Sequence, residues 1–248
     1  MARVEADHWW YRGLRDAVAK SLERSVPLLP SRPRVLDAGC GTGENLRFLQ
    51  ELLSPSYLGG FDSSEEALAF ARQKAEGADV YRSDICDPAI HVDELDLVVS
   101  LDVVYIPGEA RALEGLRRLA ARLRRNGLLI LNLPAYDWLY SEHDVAIQTS
   151  QRFTEKRVTA MLANLGLSVE LSSYRLCFLF PMIALARLPG TWRARRRPDR
   201  SARSDLHAAP GALANRMLFA ILRAENDLIA RGVRLPWGSS VFAIGRKR

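Results

Sequence analysis

Apolar residues along the chain fall into two kinds of pattern that alternate. Short, nearly continuous runs occur at Arg34–Ala38, Tyr57–Asp62, Asp79–Ser83, Leu95–Leu101, Leu128–Leu133 and Leu167–Tyr174. Between them, apolar positions recur at helical spacing over Glu44–Leu53, Glu65–Glu76, Gly108–Arg125 and Thr154–Leu165. A strand that is apolar on successive positions is covered on both faces, as in a parallel sheet between two layers of helices. The alternation therefore predicts an α/β, doubly wound architecture.

Local signals sharpen the boundaries. Ser63 or Ser64 before Glu65 and Glu66 predicts an N-cap with acids in the first turn. Thr154 caps the helix over Thr154–Leu165 without the Glu of a capping box, since Arg157 stands at the third helical position. Asn126-Gly127 after Arg122, Arg124 and Arg125 predicts a left-handed helix stop. Two segments stand outside the alternation. Residues 1–30 read as one amphipathic helix ending at Pro27 and Pro30, a lid on a core formed by residues 31–174. Residues 175–236 read as an inserted cap: an apolar helix with Pro181, an Arg-rich loop, and a second helix near Ala212–Arg231. Residues 237–248 return to the core as a last strand, Ser240–Gly245.

Composition changes this picture in three ways. The 248 residues are 48% hydrophobic and 26% charged, which excludes wholesale disorder and fibrous classes. The formal net charge is +6, but Arg187–Arg203 alone holds seven Arg and one Asp, so the remaining chain is neutral. Cys40, Cys86 and Cys177 form no CxxC pair, and His8, His91, His143 and His207 do not cluster. Neither a metal site nor a disulfide framework is expected. The N-terminus has no apolar leader pattern. The most apolar stretch, Leu176–Ala186, falls short of the roughly 20 residues a membrane span needs. A cytoplasmic protein is expected.

The strongest local motif is Val35-Leu36-Asp37-Ala38-Gly39-Cys40-Gly41-Thr42-Gly43-Glu44-Asn45, which leaves a strand and opens a helix. Its G-x-G-x-G spacing differs from the dinucleotide G-x-G-x-x-G, because Glu44 occupies the third slot. The glycines permit a sharp turn and close approach to a ligand. Asp37 before them suits a cationic ligand better than a pyrophosphate. Asp62 closes the second strand, Ser83-Asp84-Ile85 the third and Ser100-Leu101-Asp102 the fourth.

In this order the signals resemble the class I S-adenosylmethionine-dependent methyltransferases, over about residues 34–174 plus the last strand. The resemblance implies a Rossmann-like fold with S-adenosyl-L-methionine as cofactor. It implies that Asp37, Gly39, Cys40, Gly41 and Gly43 cradle the methionine moiety. Asp62 with Ser63 would hold the ribose, Asp84 and Ile85 the adenine, and Ser100, Leu101 and Asp102 the reacting face.

Several acceptor classes are disfavoured. No (D/N/S)-P-P-(Y/F) follows the fourth strand, no Cys stands there, and Asp102 alone is poor support for a metal-dependent catechol site. The block from Pro134 through His143-Asp144 to Gln151-Arg152-Phe153-Thr154 resembles a small bacterial subgroup with an HD…RRYT block after the fifth strand. So do the N-terminal His8-Trp9-Trp10-Tyr11-Arg12-Gly13-Leu14-Arg15 and the C-terminal Pro236-Trp237-Gly238-Ser239-Ser240. Thr149 and Phe153 depart from the subgroup's His and Tyr.

His143 is the candidate general base, since an imidazole near neutrality can take a hydroxyl proton. Trp10, Tyr11, Arg12, Arg15, Tyr105, Tyr136 and Arg152 are the candidate substrate contacts. Trp9 and Trp10 lie on different helix faces, so at most one is expected to point inward. The expected activity is methyl transfer to oxygen, less favourably nitrogen, of a small or carrier-linked metabolite. An RNA or protein methyltransferase docking through the Arg run, and a non-catalytic S-adenosylmethionine-binding partner, are the alternatives. An apolar wedge plus Arg run over 176–203 also fits peripheral membrane contact, and nucleic acid is not favoured. Sequence leaves the oligomeric state open.

Overall fold

The computed structural model describes residues 5–25, 29–105, 109–141, 144–145, 149–187 and 211–248. Seven strands form one sheet: β1 (Arg34–Ala38), β2 (Tyr57–Asp62), β3 (Asp79–Arg82), β4 (Leu95–Leu101), β5 (Leu123–Pro134), β6 (Leu167–Arg175) and β7 (Ser240–Lys247). Their order is β3-β2-β1-β4-β5-β7-β6. Strands β1 to β5 pair in parallel, and β7 runs antiparallel between β5 and β6. This is the α/β Rossmann-like architecture expected, with one reversed strand. Strand direction is not carried by apolar periodicity. It follows from connectivity, because β6 ends and β7 begins at the same edge, with Arg175 and Pro134 both level with Ser240.

Helices α1 (Trp9–Ser25), α2 (Glu44–Leu53) and α3 (Glu65–Lys74) cover one face. Helices α4 (Glu109–Arg122) and α5 (Glu155–Asn164) cover the other. Strand residues divide between the layers by alternation: Leu97, Val99, Leu128 and Ile130 join α1 and α2, while Val98, Leu129 and Leu131 join α4 and α5. All of these side chains are buried, which accounts for the continuous apolar runs.

Two caps form as expected. Ser64 accepts from the Ala67 N–H at 3.2 Å, and Thr154 from the Arg157 N–H at 3.3 Å. The third boundary is corrected. Helix α4 stops at Arg122, and β5 starts at once with Leu123 opposite Leu95. The next pair is Leu128 with Leu97, so the extra residues of β5 bulge out. Asn126, at φ 66°, serves that bulge and not a helix cap.

The insertion sits at the carboxyl edge of the sheet. It contains α6 (residues 180–187) and α7 (Ala212–Ala230). Most of the Arg run lies outside the described residues. Helix α7 lies beside α1, and the two run parallel: Trp9 N–H donates to Asn215, Asn226 donates to the Gly13 carbonyl and to Asp16, and Lys20 pairs with Asp227. Gly13 makes this contact possible, since a Cβ there would lie 2.4 Å from Leu222 Cδ1.

Candidate functional site

Strand β1 delivers the Gly-rich turn to the carboxyl edge. Gly39 and Cys40 N–H both donate to the Phe61 carbonyl of β2, at 2.8 and 2.9 Å, and Gly43 N–H donates to Cys40 O at 3.0 Å. Gly39, Gly41 and Gly43 have φ of 86°, 52° and 83°, a region costly for residues with a Cβ. A Cβ on Gly39 would meet Val103 at 2.3 Å, and one on Gly43 would meet the Ala71 backbone at 2.5 Å. A Cβ on Gly41 would meet nothing within 4 Å. Two glycines thus serve packing, and the middle one borders open space.

Asp37 is fully buried beneath this turn, and neither carboxylate oxygen has a hydrogen-bond partner. Burial, reinforced by nearby Asp62, pushes its carboxyl up to about 7. A buried carboxylate without donors is costly unless a ligand cation compensates it. Asp62 accepts from Gly41 N–H at 3.0 Å and from Ser64 N–H at 2.9 Å, which fixes its carboxylate at the end of β2. Since a carboxylate has about four acceptor sites, it retains capacity for hydroxyl donors. Asp84 accepts from Cys86 N–H at 2.9 Å and from Arg111 at 3.3 Å. Ile85 is buried, and its carbonyl lies so close to α4 that a Cβ on Gly115 would be 1.8 Å away.

At the end of β4, Ser100 is buried and donates to the Ala38 carbonyl at 3.0 Å, tying the two strand ends together. Leu101 joins the α1–α2 core layer. Asp102 leaves the strand at φ 58°. Burial raises its carboxyl to about 7, against the opposing pull of Asn132 and two arginines, Arg175 and Arg152. Tyr136 and Leu176 also have positive φ, so β5 and β6 leave the sheet on strained turns at the same edge. Such strain concentrates at functional sites.

The helical lid supplies fewer free groups than expected. Tyr11 lies near Glu5, Asp102 and Arg15, and burial raises its phenol further. Arg15 is buried and donates to the carbonyls of Glu5 and Ala6, both at 3.0 Å. Glu5 in turn accepts from Thr42 of the Gly-rich turn, so Arg15 holds the lid segment on that turn. Arg12 is stacked 4.1 Å over Phe219 in the α1–α7 seam. Trp9 and Trp10 both pack inward, a correction to the expectation of one, because the insertion covers the second face of α1.

Past β5, Arg152 is corrected from a substrate contact to an internal clamp. It is 2% exposed, pairs with Asp144 through Nε and Nη2 at 2.9 Å each, and donates to Ala135 O at 2.7 Å. Tyr136 stacks on Tyr174, with ring centroids 5.1 Å apart, and borders Trp138 and Phe180. Tyr105 is buried, its phenol raised by burial and by Asp102. Phe153 lies in the core. His143 lies outside the described residues.

Sequence reasoning missed Asn132, Arg175, Glu225 and Asn226, all buried and polar. Arg175 donates to Asn132 and lies 3.5 Å from Asn226 Oδ1, while its Nη2 has no partner. Glu225 accepts from the N–H groups of Leu176 and Phe178 and so anchors the start of the insertion. The available signal was a polar residue inside an apolar element, as with Asn132 in Leu128–Leu133. Cys40, Cys86 and Cys177 are buried, and burial raises each thiol, so none is a ready nucleophile.

Comparison with known proteins finds likeness in family and in fold. Residues 35–127 match the family described as "Methyltransferase domain". A trans-aconitate 2-methyltransferase from Variovorax paradoxus is 31% identical over 125 residues, half of this chain and 47% of that protein. The chain spans less than half the length of the curated relatives it matches. A methyltransferase structure from Archaeoglobus fulgidus aligns over 94% of both chains, with TM-score 0.57 and 19% identity. One from Mesorhizobium loti covers 89% of this chain and 94% of its own, with TM-score 0.55 and 17% identity. Both likenesses concern the fold.

Proposed function

We propose that this chain, which carries a class I S-adenosylmethionine-dependent methyltransferase domain, transfers a methyl group to an oxygen of a small or carrier-linked metabolite, nitrogen being the less favoured acceptor. The observation that carries the cofactor is Asp37, a fully buried carboxylate with no internal partner, below a turn whose middle glycine borders open space. The donor set fits: Asp37 answers a cationic group, Asp62 the ribose hydroxyls, and Asp84 with Ile85 the base. When bound, S-adenosylmethionine supplies an electrophilic methyl on a sulfonium.

The chain's own part is positioning and proton handling. Tyr11, Tyr105 and Asp102 lie within electrostatic reach of one another at the carboxyl edge. The lid segment is tied to the turn through Arg15 and Thr42. The buried, protonated thiols support an oxygen acceptor over cysteine-dependent carbon methylation. A relative named for trans-aconitate supports a small acid as one class worth testing. His143 remains the candidate base, needed for a hydroxyl and dispensable for a carboxylate.

The test has two stages. Calorimetry with S-adenosylmethionine should show binding, and absence of binding rejects the reading. A transfer assay with labelled cofactor against hydroxy and carboxy acids should then find an acceptor. His143→Ala should lower turnover on a hydroxyl roughly 10²-fold if it is the base, and an unchanged rate removes that role.

A further inference from the structure

Large apolar side chains are exposed at ten positions among the described residues, and six of them lie in the insertion. Phe178, Met182 and Leu185 are 52%, 54% and 69% exposed, at spacing i, i+4, i+7 along α6 and the turn before it. Leu213 and Met217, on the first turns of α7, are 74% and 59% exposed. Neither helix lacks a packed side. Leu179 and Ile183 from the first, and Leu218, Ile221 and Leu222 from the second, already cluster with Trp9 and Trp10 of α1. The outer stripes are thus a second apolar face on helices whose inner faces are satisfied.

The charge around these stripes is predominantly basic. From Ser172 to Ala224 the described residues include no Asp or Glu, while Arg216 and Arg223 stand on α7. The chain that joins the helices, residues 188–210, carries six Arg and two Asp in its sequence. An aliphatic stripe with basic flanks is the composition of an interfacial helix, whose apolar side enters the headgroup boundary while Arg meets anionic lipid. A second copy of the same face would bring like charges together. Single-stranded nucleic acid would call for successive stacking aromatics, and Phe178 is the one aromatic among the five stripe residues.

We infer that the outer face of α6 and α7 is a docking surface for an anionic lipid bilayer. Among the described residues no helix is long and apolar enough to cross a membrane, so the contact is interfacial. Its consequence for the site is placement. Helix α6 begins five residues after Arg175, and Glu225 fixes the intervening turn through the N–H groups of Leu176 and Phe178. The bilayer-facing stripe is therefore anchored to the same sheet edge as Asp102. This surface stands independently of the methyl-transfer reading, since lipid binding requires neither cofactor nor acceptor.

The test is flotation of the full chain with vesicles of phosphatidylcholine, with and without phosphatidylglycerol. Binding is expected only with the anionic lipid and should weaken as salt rises. A Met182→Glu, Leu185→Glu, Leu213→Glu variant should lose roughly tenfold or more of that binding, with its melting temperature and S-adenosylmethionine affinity retained. A milder Arg216→Gln, Arg223→Gln variant should reduce the salt dependence without touching the apolar stripe. No flotation with anionic vesicles at low salt overturns the proposal. So does a variant that melts earlier but floats as before, which would assign the face to residues 188–210. A dimer or an RNA complex that the Glu substitutions abolish while flotation persists would also overturn it.

Discussion

Asn132 donates its side-chain amide to both carboxylate oxygens of Asp102, at 3.0 Å each, and accepts from Arg175 at 3.3 Å. The guanidinium fixes which end of the amide faces the acid, so a charge buried under the insertion orients a carboxylate at the carboxyl edge of the sheet. Hydrogen bonds to a carboxylate favour its ionised form, while burial opposes it. Burial prevails here, and Asp102 titrates at about 7. Replacing Asn132 by Leu removes the donors and should move Asp102 upward from that value. Carboxyl-detected NMR titration of the purified protein measures this directly, and an unmoved or lowered midpoint would contradict the role given to Asn132.

The three glycines of the turn should respond differently to alanine. Gly39→Ala drives a Cβ to 2.3 Å from Val103, and Gly43→Ala to 2.5 Å from the Ala71 backbone. Each should cost about 1–3 kcal/mol in overpacking, beyond the left-handed strain. Gly41→Ala meets no neighbour, so only the strain of about 1–2 kcal/mol applies. Its effect should fall on S-adenosylmethionine affinity instead. Urea unfolding and calorimetry on the three variants separate the two outcomes. Equal loss of stability at all three positions would refute the division.

The parts of this fold that were legible in sequence are those set by local patterning. The strand β4, apolar at five of seven positions, and the glycine turn after β1 announce themselves because each residue's environment follows from its neighbours. Asn126-Gly127 misled because the same left-handed preference serves a helix cap and a strand bulge, and only the partner register with Leu95 and Leu97 decides between them. Arg152 misled for a related reason. A conspicuous Arg beside a predicted pocket reads as a ligand contact until its partner Asp144, eight residues earlier, is seen to occupy it. Arg175 was silent, because its burial depends on Asn132 and Asn226 from distant segments.

The Arg152–Asp144 clamp carries its own prediction. Both groups are at most 2% exposed, and Asp144 also accepts from the Ser141 N–H at 2.9 Å. Removing one partner strands the other charge in the interior, at a cost of about 3–5 kcal/mol. Arg152→Ala and Asp144→Ala should each lower unfolding free energy by that order, measured in denaturant. The double variant Arg152→Met, Asp144→Leu should recover part of the loss. Were Arg152 a substrate ligand, Arg152→Ala would keep its stability and lose only acceptor affinity.

Asp37 links cofactor binding to pH. Its carboxyl titrates at about 7 in the folded chain, against an ordinary value of 3.8. Between about 4 and 7 the folded state therefore holds a proton that the unfolded state has released, and stability falls as pH rises. The stabilising contribution is complete below pH about 4 and is lost as pH passes about 7, and Asp102 contributes with the same sign. Asp37→Asn should flatten the decline of melting temperature across this window in the cofactor-free protein. A cation seated against Asp37 favours the ionised form, so at pH about 6 binding of S-adenosylmethionine should expel a proton. Calorimetry in two buffers of different ionisation enthalpy reads that release. A binding enthalpy independent of buffer, together with an unchanged pH profile in the Asn variant, would show that Asp37 is ionised already and is not the cofactor's counter-charge.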